Sequence, residues 1–362
     1  MVPDQLDRLR DWFAGQLADS DRVEIAGVDR VTFGHSAETL LLTLAWRDRG
    51  GEHRRDVVLR VRPAAPGLLE PYDLARQFAI LRALEPTPVP SPRVLWYEPT
   101  GAVLGSEFYV MERCAGTVYE ADNATVVAHD PERLRRMSRD LVATLAGIHR
   151  VDATVAELAA FRADDHVGHE LAHWTAEMQR VRRARLPALE LLARCLEEQR
   201  PQCSEVTTLV HGDVKPGNFA FIEDAVSAVF DWELATVGDP RTDLGYLECM
   251  WTIPSSFTAR AGALTRDEAV AVYEQHSGIE ARDRGWYRAL GGFKLAVIML
   301  VGAMLFDCDA SDDPRLAMMG YGVQPFTDAA LLEVGVAEPP KPGPVTPRRQ
   351  RMRTLRARPE DA

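Results

Sequence analysis

The sequence predicts an α+β chain in two lobes: an N-terminal antiparallel sheet lobe carrying one helix, and a mainly helical C-terminal lobe. Three observations lead there. Short β-favouring runs separated by turn-rich segments fill the first 113 residues. Helical stripes of apolar residues dominate from about Asp130 onward. Between them sits one strand-bearing stretch, Leu209 to Leu247, in which most of the distinctive polar residues are gathered.

Taken in order, Leu6, Leu9, Trp12, Phe13 and Leu17 recur at helical spacing, so the chain opens with an amphipathic helix. Val23 to Ile25, Thr39 to Trp46 and Val57 to Val61 are short and β-favouring, and Arg47 to Gly51 is a hairpin turn. Asp73 to Leu84 carries Leu74, Phe78, Leu81 and Leu84 on one helical face and is stopped by the proline-rich segment Pro86 to Pro92. Strands at Arg93 to Tyr97 and Glu107 to Glu112 complete a five-stranded sheet domain over residues 1–113.

Cys114 to Thr117 reads as a linker into a second domain, residues 114–336. There Asp130-Pro131 is a cap followed by proline at the first helical position, ahead of the stripe Leu134, Met137, Leu141, Leu145 and Ile148. Further helices are expected at Val167 to Arg183, Pro187 to Gln199, Arg266 to His276 and Arg284 to Phe306. The most apolar run, Leu295 to Phe306, is too short to span a bilayer and reads as a buried helix. Residues 337–362 form a basic, proline-rich tail with no periodicity, expected to be disordered.

Composition narrows the function classes. The chain has 362 residues, 46% hydrophobic, and a formal net charge of −12. Residues 339–362 hold seven Lys or Arg against two acids, so the tail is +5 and the remainder −17. An acidic body argues against nucleic acid or an anionic membrane as partner, and no obligate protein partner is evident. The five cysteines (Cys114, Cys195, Cys203, Cys249, Cys308) are scattered without a CxxC pair, which suits free thiols. With no apolar leader after Met1, a cytoplasmic location is expected.

The chemistry concentrates in His211-Gly212-Asp213-Val214-Lys215-Pro216-Gly217-Asn218 and, after a strand, Asp231-Trp232-Glu233. Phosphoryl transfer from a nucleotide needs one carboxylate to receive the acceptor's proton and oxygen donors to hold magnesium. Asp213 is the candidate base, Asn218 and Asp231 the candidate magnesium ligands, and Lys215 a candidate to neutralise charge on the transferring group. His211 reads as scaffold, tying the loop to the Asp231 turn. Phe33-Gly34-His35-Ser36-Ala37 offers a Gly-Xaa-Ser turn whose amides can face phosphate oxygens, although a plain β-turn explains that segment alone. Only seven residues, Trp232 to Gly238, separate Asp231 from Asp239, too few to build a peptide-docking segment, so the acceptor is expected to be a small molecule. His166 and His169 are at helical spacing without metal-ligand partners and read as surface histidines.

Together these residues resemble the HGDxxxxN, DWE and GDPxxDL pattern of the aminoglycoside phosphotransferase and choline kinase group of protein-kinase-like folds. The segments GHSAETLLL, VVLRVRPAAPG, PVPSPRVLWYE and GSEFYVMERCAG support the likeness, in particular to the kinase-like domains linked to acyl-CoA dehydrogenases. The resemblance implies that Phe33 to Ala37 covers the phosphates of ATP and that Arg60 contacts the α- and β-phosphates. It places Met111, Glu112 and Arg113 at a hinge whose backbone pairs with adenine, and has Asp239 and Asp243 brace the catalytic loop. Two departures stand out. Arg60 occupies a position often held by lysine, and Gln77 stands where a helix glutamate would pair with it.

The implied activity is an ATP- and Mg2+-dependent kinase of a small hydroxylated substrate, with a hydroxyacyl metabolite as one acceptor. An aminoglycoside phosphotransferase and a nucleotide-binding pseudokinase are the alternatives. Arg180, Arg182, Arg183 and Arg185 either cradle coenzyme A phosphates or form an exposed face. Trp174, Trp251, Trp286 and Tyr287 either line the acceptor site or belong to the core.

Overall fold

The computed structural model describes residues 3–340 except 18–19, 21, 32–37, 64–65, 121–122, 124–125, 128 and 203–204. The chain divides into two compact units, residues 1–115 with 228–233, and residues 116–227 with 234–362. The class is α+β.

In the first unit, α1 (Pro3–Gln16) precedes β1 (Arg22–Val31), β2 (Glu38–Asp48), β3 (Gly51–Val61), α2 (Leu74–Leu84), β4 (Val94–Glu98) and β5 (Phe108–Glu112). The sheet order is β1-β2-β3-β5-β4, antiparallel throughout. Because side chains alternate along a strand, Leu40, Leu42 and Leu44 share one face with Val57, Leu59 and Val61 across the ladder. Leu9 and Phe13 of α1 join these residues in one buried cluster. The same alternation puts Arg60 on the opposite face, directly across from Thr39 on β2 and Tyr109 on β5. The helix α2 supplies Phe78 against the Tyr109 ring on that second face. It starts at Asp73, whose carboxylate accepts from the Arg76 amide at 2.8 Å.

The second unit contains β6 (Thr117–Val118), α3 (Pro131–Ile148), α4 (Ala156–Ala159), α5 (His166–Val181), α6 (Pro187–Glu198), β7 (Thr208–Val210), β8 (Phe219–Ile222) and β9 (Ala225–Val229), the last two residues of β9 counting with the first unit. It continues through β10 (Thr236–Gly238), α7 (Arg241–Trp251), α8 (Arg266–Ser277), α9 (Arg284–Asp307), α10 (Pro314–Met319) and α11 (Val323–Glu333). Asp130 caps α3 as its sequence implies, accepting from the Arg133 amide at 2.9 Å. From α3, Arg133 and Arg136 clamp Asp224 in the β8–β9 turn, and Asp140 accepts from the Val226 amide at 2.6 Å. Of the segment expected to be a linker, Cys114 to Gly116 carry no regular structure, and only its last residue, Thr117, pairs, entering β6 with Val118 across from Phe221 and Ala220.

The apolar run 295–306 is the C-terminal half of a longer helix, the 24-residue α9. By length and composition α9 is able to cross a membrane, but 78% of its most apolar window is buried inside the protein. It packs against α5, α6, α7, α10 and α11, so its apolar surface is used in helix packing. Trp174, Trp251, Trp286 and Tyr287 are all buried, placing these four aromatics in the core.

Candidate active site

The candidate catalytic loop, residues 211–218, grows out of the pairing of β7 with β10, where Val210 lies opposite Thr236. The chain then turns sharply at Gly212, whose φ is +83°. A side chain there would put its Cβ 2.4 Å from the Leu234 carbonyl oxygen, so glycine is required by both conformation and space. Asp243, in the first turn of α7, braces the turn. Its Oδ2 accepts from the His211 amide at 2.7 Å and its Oδ1 from the Gly212 amide at 2.8 Å. His149, the C-cap of α3, bonds the same carboxylate through Nε2 at 3.0 Å, while its Nδ1 lies 2.7 Å from the Tyr273 hydroxyl. Burial alone would push the Asp243 carboxyl up, but the His149 hydrogen bond and charge outweigh it and hold the group below its ordinary value.

Asp213 is buried, at 5% exposure, and sits at the centre of a small network. Lys215 Nζ donates to its Oδ2 at 2.8 Å. The Asn218 amide nitrogen donates to the Asp213 carbonyl at 2.8 Å and to Oδ2 at 3.0 Å. Both of those acceptors are oxygens, so the amide orientation is fixed by chemistry and Oδ1 of Asn218 points the other way. Burial pushes Asp213 up, and the Lys215 ammonium, with His211 and Lys294, brings it below the usual carboxylate range. The Tyr246 hydroxyl also faces this carboxylate, and burial and that negative charge keep the phenol neutral. His211 is fully buried and accepts the Asp213 amide on Nδ1 at 3.2 Å, bracing its own loop.

Lys294 was not among the residues singled out from the sequence. Its Nζ donates to the Gly212 carbonyl at 2.5 Å and lies 3.4 Å from Glu170. The rings of Trp174 and Tyr246 are 5.3 and 5.4 Å from it. His166, Glu170, Gly212, Tyr246 and Lys294 line a narrow cavity with room for about one water molecule. One signal existed: Lys294 is the single charge between Leu290 and Phe306. A lone ammonium inside an apolar helix needs a partner.

In the first unit, Asp231 adopts a left-handed backbone, φ 59°, and its carboxylate lies 3.2 Å from Arg60. Arg60 is also 3.8 Å from Glu233 and donates to Thr39 Oγ1 at 3.0 Å. Gln77, by contrast, is engaged by Tyr109, whose hydroxyl donates to Oε1 at 3.2 Å. Carboxylates from the Asp-Trp-Glu segment therefore accompany the guanidinium.

The remaining expectations divide. Phe33, Gly34, His35, Ser36 and Ala37 lie outside the described residues, as do residues 341–362. Met111 is buried at the end of β5. The Glu112 amide donates to the Arg93 carbonyl and the Arg113 amide to the Asp56 carbonyl, so these two N–H groups are already used. Asp239 does not brace the catalytic loop. It accepts from the Arg241 amide at the start of α7 and from the Tyr287 hydroxyl at 2.6 Å. His166 is not a surface residue: it is buried beside Gly238, accepts the Asp239 amide on Nδ1, and burial lowers its pKa. The four arginines are each opposite a carboxylate: Arg180 with Glu177, Arg182 and Arg185 with Glu190, and Arg183 with Asp307.

The chain is 31% identical over 259 residues to mouse (Mus musculus) acyl-CoA dehydrogenase family member 10, covering 68% of this chain and 24% of that protein. It is 30% identical over 292 residues to rat (Rattus norvegicus) acyl-CoA dehydrogenase family member 11, covering 76% of this chain and 37% of that protein. The chain thus spans only about a quarter to a third of these relatives. Among solved structures, a Ralstonia eutropha protein provisionally assigned as an aminoglycoside phosphotransferase superposes with TM-score 0.73 at 23% identity, covering 91% and 97% of the two chains. Aminoglycoside phosphotransferase APH(4)-Ia in complex with ADP and hygromycin B superposes with TM-score 0.56 at 14% identity, covering 89% and 98%. These two likenesses establish a shared fold. The family model of the phosphotransferase enzyme family matches residues 42–290, and the chain belongs to that family.

Proposed function

We propose that this protein is an ATP- and magnesium-dependent kinase that moves the γ-phosphate of ATP to a hydroxyl of a small molecule. The observation carrying the reading is the buried Asp213 carboxylate, held ionised by Lys215 and oriented by Asn218. In this role Asp213 orients the acceptor hydroxyl and receives its proton as the oxygen–phosphorus bond forms. Lys215 offsets charge on the transferring group, and Arg60 grips nucleotide phosphate oxygens. Phe33 to Ala37 would cover the phosphates, and the segment Met111 to Arg113 would border the adenine.

The residues suit a hard divalent cation. Asn218 presents Oδ1 because its nitrogen is committed to two oxygen acceptors, and Asp231 presents a carboxylate on a strained turn. Among the described residues no three His, Cys, Asp or Glu cluster as a metal cage. Magnesium is bound by one or two protein oxygens together with phosphates and water, and Asn218 and Asp231 would supply such oxygens. When bound, magnesium neutralises charge on the β- and γ-phosphates.

For the acceptor, the likeness to acyl-CoA dehydrogenase family members 10 and 11 favours a hydroxyacyl compound. Aminoglycosides are the second reading, since a neighbour of the same fold is complexed with hygromycin B. Purified protein with ATP and magnesium, assayed for ADP release against hydroxyacyl thioesters and aminoglycosides, separates the two. Asp213→Asn should lower turnover by about 10²–10⁴-fold. Unchanged turnover in that variant would reject Asp213 as the base. The absence of any thermal shift with ATP and magnesium would reject the kinase reading itself.

A further inference from the structure

Arg60 sits in a cluster with the carboxylates of Asp231 and Glu233. Arg60 is nearly buried, with its side chain 12% exposed, and so is Glu233 at 6%. Among the described residues, the neutral groups Thr39, Gln77, Tyr72 and Tyr109 stand around them, both phenols being pushed up by burial. One guanidinium therefore faces two carboxylates, Asp231 at 3.2 Å and Glu233 at 3.8 Å. Gln77 is a neutral amide, and its oxygen accepts from the Tyr109 hydroxyl that stands beside Arg60 on the same sheet face.

We infer that Glu233 is the standing counter-charge of Arg60 and a positioning residue for metal and nucleotide binding, while Asp231 is exchanged between Arg60 and the divalent cation. The inference deepens the kinase reading and rests on its assignment of Asp231. An arginine whose only anionic partner were Asp231 would compete with the metal for that carboxylate, and metal binding would leave a buried guanidinium uncompensated. With Glu233 in place, Asp231 turns to the cation while Arg60 keeps a partner. The function assigned in related folds to a helix glutamate thus falls here to the third residue of Asp231-Trp232-Glu233, in a chain where the helix position is Gln77.

The test is calorimetric titration of ADP into the full-length protein with and without magnesium, read as the ratio of the two dissociation constants. Glu233→Gln should reduce the magnesium-dependent tightening about tenfold, because Arg60 then holds Asp231 more firmly. Glu233→Asp should recover part of the loss. Combining Glu233→Gln with Arg60→Met should restore the ratio to within about twofold of that of Arg60→Met alone, since no cation is left to compete. A ratio unchanged in Glu233→Gln, or a loss that persists in the double variant, would overturn the inference. Should Glu233→Gln not fold, Glu233→Asp decides it, an unchanged ratio again counting against the proposal. Asp231→Asn isolates the underlying reading: if magnesium still tightens ADP binding in that variant as in the wild type, the metal assignment is what fails.

Discussion

Asp243 gives the sharpest handle on the catalytic loop, because one buried carboxylate satisfies three donors. The residue is 1% exposed and accepts from the amides of His211 and Gly212 and from the His149 ring. Asp243→Asn preserves shape but replaces one oxygen with an NH2 group, so at least one buried donor must face a donor. Hydrogen bonds to a charged acceptor contribute about 1.5–3 kcal/mol, and a stranded buried donor costs about 1–3 kcal/mol, so a loss of about 2–4 kcal/mol is expected. For a folding unit of this size that is a fall of about 5–15 °C in Tm. Urea unfolding followed by circular dichroism measures the loss, and hydrogen exchange at the amides of His211 and Gly212 locates it. The acid limb supplies a sign. Asp243 titrates below 3.8 in the folded protein, so the unfolded state binds more protons in that range. Its contribution is complete above 3.8 and is lost as the pH falls through the depressed value, so the stability curves of wild type and Asp243→Asn should converge at acid pH. Equal urea midpoints at neutral pH with unchanged exchange at residues 211 and 212 would refute the bracing role.

Gly212→Ala forces a Cβ against the Leu234 carbonyl and a side chain into φ +83°, so a loss of about 2–4 kcal/mol in urea unfolding is expected; wild-type stability would show that the turn relaxes freely. Lys294→Met removes the donor to the Gly212 carbonyl and leaves Glu170 without its ammonium, for a loss of about 2–4 kcal/mol, and adding Glu170→Gln should recover part of it. No recovery in the double variant would mean that the Lys294–Glu170 contact carries none of the effect. Arg182→Gln and Arg185→Gln should leave affinity for a coenzyme A thioester within about twofold, because both guanidiniums already face Glu190; a large loss in equilibrium binding would reinstate the arginines as a phosphate cradle.

What could be read from the chain and what could not follow a physical division. Local periodicity placed the five strands of the first unit, because alternation and turn chemistry are written within a few residues. It also put Arg60 on the face away from Leu59 and Val61, which is why the charged residue needs partners at all. The five-residue spacing of Asp213 and Asn218 across Pro216-Gly217 was legible for the same reason: the turn itself brings the amide to the carboxylate. Lys294 was not legible, and neither were the partners of Glu233 and Asp239, since such pairings are not encoded in sequence spacing. Lys294 meets Gly212 across 82 positions. Asp239, two residues from Arg241, turned to the helix it precedes and to Tyr287 instead of the loop. The extent of α9, by contrast, was legible: a helix expected over Arg284 to Phe306 is found at Arg284–Asp307, because apolar residues recur through both halves and packing buries both.

The charges that converge on the catalytic loop also bear on the acceptor. Asp213 is matched by Lys215, and Lys294 stands between the Gly212 carbonyl and Glu170, while Asp243 is committed to the amides of His211 and Gly212. Each of these carboxylates therefore has donors within the protein, which weakens its pull on a polycationic aminoglycoside. The arginines that would have drawn a polyanion are equally matched by carboxylates. A site whose fixed charges are internally compensated discriminates by shape and by hydrogen bonding to a hydroxyl, because displacing a buried ion pair costs more than a new charge contact returns. That balance favours a neutral or singly charged hydroxylated portion as the part of the acceptor next to Asp213, and it weighs for the hydroxyacyl reading over the aminoglycoside one.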